Sequence, residues 1–216
     1  MNLLILDYGS GNIKSVYNSL KFVLEKIDKR YEIIVSNSTS DISKSDFIIL
    51  PGVGSFQQCK ESIFKYVGLV DALYETVLIK SKPFLGICVG MQLLADFGLE
   101  NGKHEGFGWV KGKVKSLEKQ INLTHHNLKI PHMGWNNLEI ISKDNILKDI
   151  SEHDHFYFVH SYYFDAVNSE NILALTKYGK NIPSIIKREN IYGLQFHPEK
   201  SGYSGQKILK NWIINC

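Results

Sequence analysis

A cysteine between two glycines has the clearest potential for chemistry in this sequence. Gly86, Cys88 and Gly90 form the pattern G-x-C-x-G, the thiol counterpart of a nucleophile elbow, which is a sharp turn from a strand into a helix. An apolar run precedes Cys88 and helix-forming residues follow it as far as Ala95, so we predict a buried strand and then a helix. Free N–H groups and the helix dipole at such a corner favour a thiolate. Cys88 is therefore a candidate nucleophile, although an inert cysteine buried behind a glycine-rich turn gives the same pattern.

Two main-chain N–H groups are candidates for stabilising an oxyanion beside Cys88. One belongs to Val89, because the residue after the nucleophile donates such a hydrogen bond in elbow enzymes. The other lies in the Pro-Gly-x-Gly segment 51–54, where Gly52 and Val53 expose main-chain N–H groups with little side-chain cover. One well-placed donor typically lowers the barrier by about 2.7 to 4 kcal/mol. Taken alone, the segment 51–54 is equally well explained as a plain glycine turn.

A general base and a group that orients it are predicted near the end of the sequence. The segment 192–196 has the pattern of a strand, and it leads into His197, Pro198 and Glu199. Residues two apart in an extended chain point to the same side, about 6.5 Å from each other, so Glu199 can orient and polarise the ring of His197. Next to a thiol, this histidine would form a thiolate–imidazolium pair and later protonate a leaving amine. A histidine at a strand end is often only structural, but the three motifs together indicate a cysteine hydrolase.

The alternation of strands and helices predicts an α/β fold with a mostly parallel central sheet flanked by helices. In such a sheet the loops after the carboxyl ends of strands gather at one edge, which places the segment 51–56 beside Cys88. After residue 98 the pattern changes to a more antiparallel part. The expected strands are 3–6, 31–35, 46–50, 84–87, 109–114, 128–130 and 156–164, and the expected helices include 57–66 and 70–80.

Length and composition describe an ordinary globular chain. The 216 residues, 44% hydrophobic and 22% charged, fit a single domain over residues 1–216. A net charge of +3 without a long basic run argues against nucleic acid as a partner. Three scattered cysteines indicate neither a disulfide framework nor a zinc site and fit a reducing cytoplasm. Without a signal-like start or an 18-residue apolar span, we expect a cytoplasmic protein that does not bind membranes.

Two other patterns suggest ligand sites but have simpler explanations. Gly9 and Gly11 after the first strand resemble a phosphate loop, but their spacing departs from the dinucleotide fingerprint and favours a tight turn into a helix. The pair at 125–126 and the alternate histidines His153 and His155 lie in polar segments without a cysteine or carboxylate set. We therefore expect solvated histidines and no metal site.

Three motifs resemble those of a known family, the class I (triad) glutamine amidotransferases. They are the segments PGVG at 51–54, GICVGMQLL at 86–94 and QFHPE at 195–199. The resemblance covers nearly the whole chain, and it implies a flavodoxin-like class I glutamine amidotransferase fold and no cofactor. It further implies that Cys88 attacks the side-chain amide of glutamine, while His197 and Glu199 complete a triad that releases glutamate and ammonia.

Within that family, four segments are similar to the glutaminase subunits of histidine biosynthesis. These segments are LDYGSGN at 6–12, PHMGWN at 131–136, FVHSYY at 158–163 and FHPEKSG at 196–202. Such subunits form a heterodimer with a (β/α)₈ barrel cyclase subunit, which uses the ammonia to make imidazole glycerol phosphate and an aminoimidazole carboxamide ribotide. The implied glutamine-binding residues are Gly52, Gln92, Glu100, Ser161 and Tyr162. The implied interface residues are His132, Met133, Gly134, Trp135, Asn136 and Lys200.

The sequence leaves two alternatives open beside this interpretation. A paralogous glutaminase subunit would have the same chemistry but would supply ammonia to a sugar-modifying amidotransferase of surface glycan synthesis. A non-catalytic binding module on the same fold would not need the intact Cys88, His197 and Glu199. Gly98 is expected to end the helix after Cys88, which weakens the assignment of Glu100 as a glutamine-binding residue.

Overall fold

The computed structural model describes residues 1–121 and 128–216 as alternating strands and helices, followed by an antiparallel part. The strands are β1 (Asn2–Leu6), β2 (Glu32–Ser36), β3 (Phe47–Gly52), β4 (Phe84–Cys88), β5 (Phe97–Gly98), β6 (His104–Glu105), β7 (Gly112–Ser116), β8 (His132–Asn137), β9 (Glu139–Ile140), β10 (His155–His160), β11 (Tyr162–Ala166), β12 (Ile172–Tyr178), β13 (Lys180–Arg188) and β14 (Ile191–Leu194). The helices are α1 (Ile13–Leu24), α2 (Thr39–Lys44), α3 (Phe56–Phe64), α4 (Leu69–Tyr74), α5 (Val89–Gln92), α6 (Glu118–Ile121) and α7 (Gly202–Asn215). A π-helical turn, Glu75–Ile79, extends α4, and 3₁₀ turns cover Asn145–Leu147, Ser169–Asn171 and Pro198–Lys200.

The central sheet has the predicted mixture of parallel and antiparallel strands. In the described part of the chain it contains eight strands in the order β2-β1-β3-β4-β14-β13-β12-β9. The five strands from β2 to β14 are parallel, and the remaining three pair antiparallel. Because β4 lies between β3 and β14, the carboxyl ends of these three strands meet at one edge. This edge brings together segments that are about a hundred residues apart in sequence.

Apolar side chains explain why these elements form and pack. Strands β3 and β4 are buried along their whole length, as strands covered by helices on both faces must be. Helix α1 buries Val16, Leu20 and Val23, whose spacing places them on one helical face. On α7, the ring of Trp212 meets that of Phe47 edge-to-face with centroids 5.5 Å apart. The helices thus cover a continuous apolar core around the sheet.

Two smaller sheets stand beside the central one. Strands β8 and β10 form an antiparallel pair, and β11, β7, β5 and β6 form a four-stranded sheet. The single strand predicted over 156–164 is wrong, because the chain breaks at Ser161 and its two halves join different sheets. A hydrogen bond of 2.8 Å between the ring Nδ1 of His160 and the carbonyl of Tyr162 accompanies this break.

The segment 128–130, predicted as a strand, has no regular structure. Leu128 and Ile130 instead pack against a small apolar cluster that contains Tyr163. The strand predicted from residue 109 begins only at Gly112, because the preceding residues pair with the turn after α5. No helix of the described residues is long and apolar enough to cross a membrane.

Candidate active site

Cys88 occupies the sharp corner predicted for it. It is the last residue of β4 and directly precedes α5, with φ of 54° and ψ of −108°, a conformation that non-glycine residues rarely adopt. Gly52, Gly86 and Gly90 surround the corner, and a Cβ atom on any of them would clash with neighbouring main-chain atoms. Such strain persists only where the surrounding structure enforces it, and it is common at active sites. The geometry confirms the elbow inferred from the sequence.

The helix after Cys88 is much shorter than predicted. Helix α5 ends at Gln92, whereas the sequence pattern continued to Ala95. The helix ends early because the carbonyls of Leu93 and Ala95 accept hydrogen bonds from the N–H groups of Phe107 and Gly108. The prediction that Gly98 ends this helix is therefore wrong, since Gly98 lies in β5. A single helical turn has little macrodipole, so the helix favours a thiolate mainly through the free N–H groups at its start.

His197 and Glu199 form a buried pair next to Cys88. The ring Nδ1 of His197 lies 2.8 Å from Oε1 of Glu199, and only 2% and 1% of the two side chains are exposed. Burial lowers the pKa of His197, but hydrogen bonds with Cys88 and Glu199 outweigh it and raise the pKa to about 10. The N–H of His197 donates to the carbonyl of Tyr157, and the hydroxyl of Ser201 donates to the carbonyl of His197. The imidazole is thus held in one position with a charge-stabilising partner.

The oxyanion segment 51–54 packs against the turn that follows β1. The hydroxyl of Tyr8 donates to the carbonyl of Pro51, and the hydroxyl of Ser10 donates to the carbonyl of Val53, both at 2.8 Å. The buried thiol of Cys59 also faces the Val53 carbonyl, at 3.4 Å. These contacts explain the turn at 9–11 as a structural one. The sequence also favoured a tight turn here over a phosphate loop.

A cavity of about 400 Å³ opens at this edge of the sheet and is within the size range of small-molecule sites. The predicted triad and oxyanion residues Cys88, His197, Val53 and Val89 line it. The predicted glutamine-binding residues Gln92, Glu100, Ser161 and Tyr162 line it too, whereas Gly52 is buried under Val89 and does not. Lys200, predicted at the interface, also faces this cavity. Sequence reasoning missed the remaining lining residues Gly54, Pro131, Val159 and His160.

Hydrogen bonds fix two of the predicted glutamine-binding side chains, those of Gln92 and Glu100. The Nε2 of Gln92 donates to the carbonyl of Tyr162 at 3.0 Å and to Oε1 of Gln195 at 3.1 Å. Glu100 accepts the N–H of Phe56 at 2.7 Å, which anchors its carboxylate at the start of α3. Glu100 reaches the cavity although the helix after Cys88 has ended well before it.

Gln195 is a site residue that the sequence analysis did not select. Its side chain is fully buried, and its Nε2 lies 3.8 Å from Sγ of Cys88. The signal was present in the sequence, since Gln195 precedes His197 by two positions and therefore shares its side of an extended chain. A similar signal was present for His160, which alternates with Phe156 and Phe158 on the buried side of β10.

Strand β8 carries most of the predicted partner interface. Met133 and Trp135 are 62% and 59% exposed, and Trp135 packs edge-to-face on Tyr157 of the neighbouring β10. Gly134 and Asn136 are half-buried, and Lys200 is exposed. His132 differs from the prediction that it lies at the interface, because alternation along β8 turns its side chain inward and leaves it 3% exposed. Its ring therefore does not belong to the outer face.

The histidines considered as metal ligands do not form a cluster where they are described. His153 and His155 lie on the surface, and the pair at 125–126 lies outside the described residues. Within residues 1–121 and 128–216, the structure contains no group of three or more potential ligands from histidine, cysteine, aspartate and glutamate.

Comparisons with known proteins identify the family of the chain. A family model described as glutamine amidotransferase class-I matches residues 4–216. Imidazole glycerol phosphate synthase subunit HisH of Pelagibacter ubique is 43% identical over 99% of each chain. The subunit HisH of Rhodospirillum rubrum is 41% identical over 99% of this chain and 98% of its own.

Solved structures of low sequence identity share the fold. A glutamine amidotransferase crystal structure aligns with a TM-score of 0.70 and 16% identity, covering 98% of this chain and 97% of its own. A glutamine amidotransferase from Thermotoga maritima aligns with a TM-score of 0.59 and 19% identity, covering 99% and 81%. The fold inferred from the sequence is thus confirmed. Together with the relatives, these findings show that the chain belongs to the class-I glutamine amidotransferase family, among the HisH subunits of imidazole glycerol phosphate synthase.

Proposed function

We propose that residues 1–216 act as one glutaminase domain that hydrolyses glutamine to glutamate and ammonia through Cys88, His197 and Glu199. The observation that carries the proposal is the strained Cys88 corner next to the buried His197–Glu199 pair at the wall of one cavity. Membership of the class-I glutamine amidotransferase family supports the same chemistry. The intact set of three side chains distinguishes this function from that of a non-catalytic binding module.

The reaction proceeds in two steps with a covalent intermediate. The sulfur of Cys88 attacks the side-chain amide carbon of glutamine, and the N–H groups of Val53 and Val89 stabilise the oxyanion. The His197 imidazolium donates its Nε2 proton to the departing nitrogen, which leaves as ammonia. Neutral His197 then removes a proton from water, whose oxygen attacks the γ-glutamyl thioester. Glutamate leaves, and the proton returned to the Cys88–His197 pair restores the starting state.

The remaining cavity residues are suited to hold the rest of the substrate. The carboxylate of Glu100 faces the cavity and fits the α-ammonium group of an amino acid. Gln92, Ser161 and Tyr162 line the same space and contribute polar groups for the α-carboxylate and the side-chain amide. Gly52 contributes by its missing side chain, since a Cβ there would clash with Val89 and Gly90 and displace the oxyanion segment.

The exposed face of β8 beside this cavity is the proposed contact with a (β/α)₈ cyclase subunit. Met133 and Trp135 place large apolar area in solvent, and such residues are enriched in protein interfaces. Lys200 lies both at the cavity and at the surface, next to the ring of Tyr157. His132 is excluded from direct contact by its burial. The HisH relatives, named as subunits of imidazole glycerol phosphate synthase, support a partner of this class in histidine biosynthesis.

We propose a cytoplasmic location, which histidine biosynthesis by such a complex supports. The free cysteines Cys59, Cys88 and Cys216 are consistent with a reducing compartment. Localisation of a tagged chain by fluorescence microscopy tests this assignment, and a signal confined to the envelope would contradict it.

Glutamate release by the purified chain tests the function directly. We expect low activity alone and strong stimulation by the matching cyclase subunit with its nucleotide ligand, because the partner face adjoins the catalytic cavity. A coupled glutamate dehydrogenase assay measures both states. No activity in either state would contradict the glutaminase, whereas equal activity in both would contradict the coupling to a cyclase.

Truncation of Trp135 tests the proposed interface separately from the chemistry. We expect Trp135→Ala to weaken binding to the cyclase by about 30-fold, since exposed tryptophans at interface centres typically contribute about 2 kcal/mol or more. Isothermal titration calorimetry measures the Kd, and Tyr74→Ala, which removes a half-exposed ring from α4, serves as the control. Equal loss of affinity in both variants, or in neither, would place the interface elsewhere.

A further inference from the structure

Two buried histidines lie beside the cavity, which one of them, His160, also lines, and neither has a role in the proposed reaction. The Nδ1 of His132 on β8 is 3.0 Å from the Nε2 of His160 on β10. The two side chains are 3% and 5% exposed, and the ring of His132 is stacked between Phe158 and Tyr178. Buried polar groups are costly unless they are hydrogen-bonded, so the partners of each ring nitrogen decide where the protons lie.

The carbonyl of Tyr162 determines the tautomer of His160. A carbonyl oxygen only accepts hydrogen bonds, and it lies 2.8 Å from the Nδ1 of His160. The Nδ1 must therefore carry the proton, and the Nε2 of neutral His160 is an acceptor. The hydrogen bond between the rings then requires a proton on Nδ1 of His132. This leaves the Nε2 of His132 as an acceptor too.

Asn136 lies at the other end of this row of hydrogen bonds, next to His132. Its Oδ1 accepts the N–H of Asn137, and its Nδ2 donates to the carbonyl of Lys177 at 3.1 Å. These two contacts fix the orientation of the amide, so Nδ2 is also the group that faces the Nε2 of His132 at 3.3 Å. All three hydrogen bonds thus run in one direction, from Asn136 through both rings to the carbonyl of Tyr162.

The surroundings keep both rings uncharged. Burial lowers the pKa of His132 to about 4. Burial and the neighbouring His132 lower the pKa of His160 to about 3, although the hydrogen bond to the Tyr162 carbonyl opposes the shift. The charged His197 also disfavours a proton on His160. An extra proton on either ring would turn one of these acceptors into a donor that faces another donor.

Further hydrogen bonds connect the carbonyl of Tyr162 with the catalytic cavity. The carbonyl of Tyr162 also accepts from the Nε2 of Gln92, which donates in addition to Oε1 of Gln195. The Nε2 of Gln195 faces the sulfur of Cys88 at 3.8 Å. The two donors on the Tyr162 carbonyl, one from His160 and one from Gln92, hold a wall of the cavity in place.

We propose that His132 and His160, both fixed as Nδ1–H tautomers, are positioning residues that hold the Tyr162 main chain and the Gln92 amide where glutamine binds. This inference rests on the proposed glutaminase function. The pair acts through Tyr162 and Gln92 and does not touch the reacting atoms. Its loss therefore changes the affinity for glutamine more than the rate of the chemical step.

Nitrogen-15 NMR of the histidine rings tests the tautomers without any substrate. We expect two histidines with protonated Nδ1 and unprotonated Nε2 that do not titrate between about pH 5 and pH 8. His132→Phe and His160→Asn assign the two signals. A proton on Nε2 of His160, or titration of either ring near pH 6.5, would overturn the proposal even if glutamine is not the substrate.

Steady-state kinetics test the positioning role with three variants. His160→Phe keeps an aromatic ring but removes the donor to Tyr162, and we expect KM for glutamine to rise about tenfold with kcat changed less than about threefold. His160→Asn keeps an N–H close to the original Nδ1 and is expected to restore most of the affinity. His153→Phe, on the exposed turn before β10, is the control and should leave both constants unchanged.

A further variant keeps the proposal testable if His160→Phe does not fold. His132→Phe preserves a ring between Phe158 and Tyr178 but removes the N–H that the Nε2 of His160 accepts. We expect His160 to keep its Nδ1–H tautomer, which the Tyr162 carbonyl selects, and KM for glutamine to rise severalfold because one of the two hydrogen bonds that orient the ring is lost. An unchanged KM would overturn the proposal, whereas absence of glutamate release in the parent protein would contradict the proposed function instead.

Discussion

Cys88→Ala is expected to remove nearly all glutamate release, with kcat lowered by about 10⁴- to 10⁶-fold, the range seen when members of a catalytic triad are removed. Without the sulfur no γ-glutamyl thioester forms, and His197 has no thiol to activate. The residual rate then comes from binding and oxyanion stabilisation alone. The same assay of glutamate release measures the loss, with and without the cyclase subunit.

The fold should survive this substitution. Alanine removes one sulfur atom from a corner at the cavity wall, and its φ preference is no worse than that of cysteine at +54°. We therefore expect the free energy of unfolding to change by less than about 1 kcal/mol, measured by urea denaturation. Cys216→Ser, at an exposed cysteine, is the matched control and should retain full activity. Activity in Cys88→Ala, or its failure to fold, would favour a structural role for this cysteine.

The proposed catalytic residues could be selected from the sequence because their motifs are local. Gly86 and Gly90 mark the elbow around Cys88, and the spacing of His197 and Glu199 places them on one side of the chain. What the sequence does not contain is the order of strands. The residues of the proposed triad come together because β14 pairs with β4, and this pairing joins residues that are more than a hundred positions apart. Periodicity identifies a strand but not its neighbour in the sheet.

The errors arose where tertiary hydrogen bonds override the local pattern. Residues after Gln92 have good helix propensity, but their carbonyls pair with the segment 106–110, so the helix stops. The aromatic run 156–164 has the composition of one strand, yet the chain breaks at Ser161 and its two halves join different sheets. His132 has the composition of a contact residue, but alternation along β8 decides that it faces inward.

Glu199→Gln is expected to lower kcat by about 10⁴-fold, as an uncharged replacement of the carboxylate does in a comparable triad. The amide can offer either its oxygen or its NH₂ group to Nδ1 of His197. If the NH₂ group faces the ring, the proton moves to Nε2 and His197 loses its function as a base. If the oxygen faces the ring, the NH₂ group occupies the place of Oε2, which has no hydrogen-bond partner among the described residues. The first orientation therefore impairs catalysis, and the second leaves a buried NH₂ group without a hydrogen-bond partner.

The same substitution should change how stability depends on pH. In the parent protein the pKa of His197 is about 10, well above its value of about 6.5 in the unfolded chain, so His197 stabilises the fold fully below about pH 6.5. This contribution is lost as the pH rises through about 10. Glu199→Gln removes one of the two partners that raise the pKa of His197, so this pKa should fall and the loss of stability between about pH 6.5 and pH 10 should become smaller.

Proton NMR of the His197 ring and urea denaturation at several pH values measure these two effects of Glu199→Gln. Glu152→Gln, at an exposed carboxylate, is the matched control and should match the parent protein in kcat and in its pH profile. A pKa of His197 that stays near 10 in Glu199→Gln would show that Cys88 alone holds the imidazolium. Together with a kcat above about a tenth of the parent value, that result would remove Glu199 from the triad.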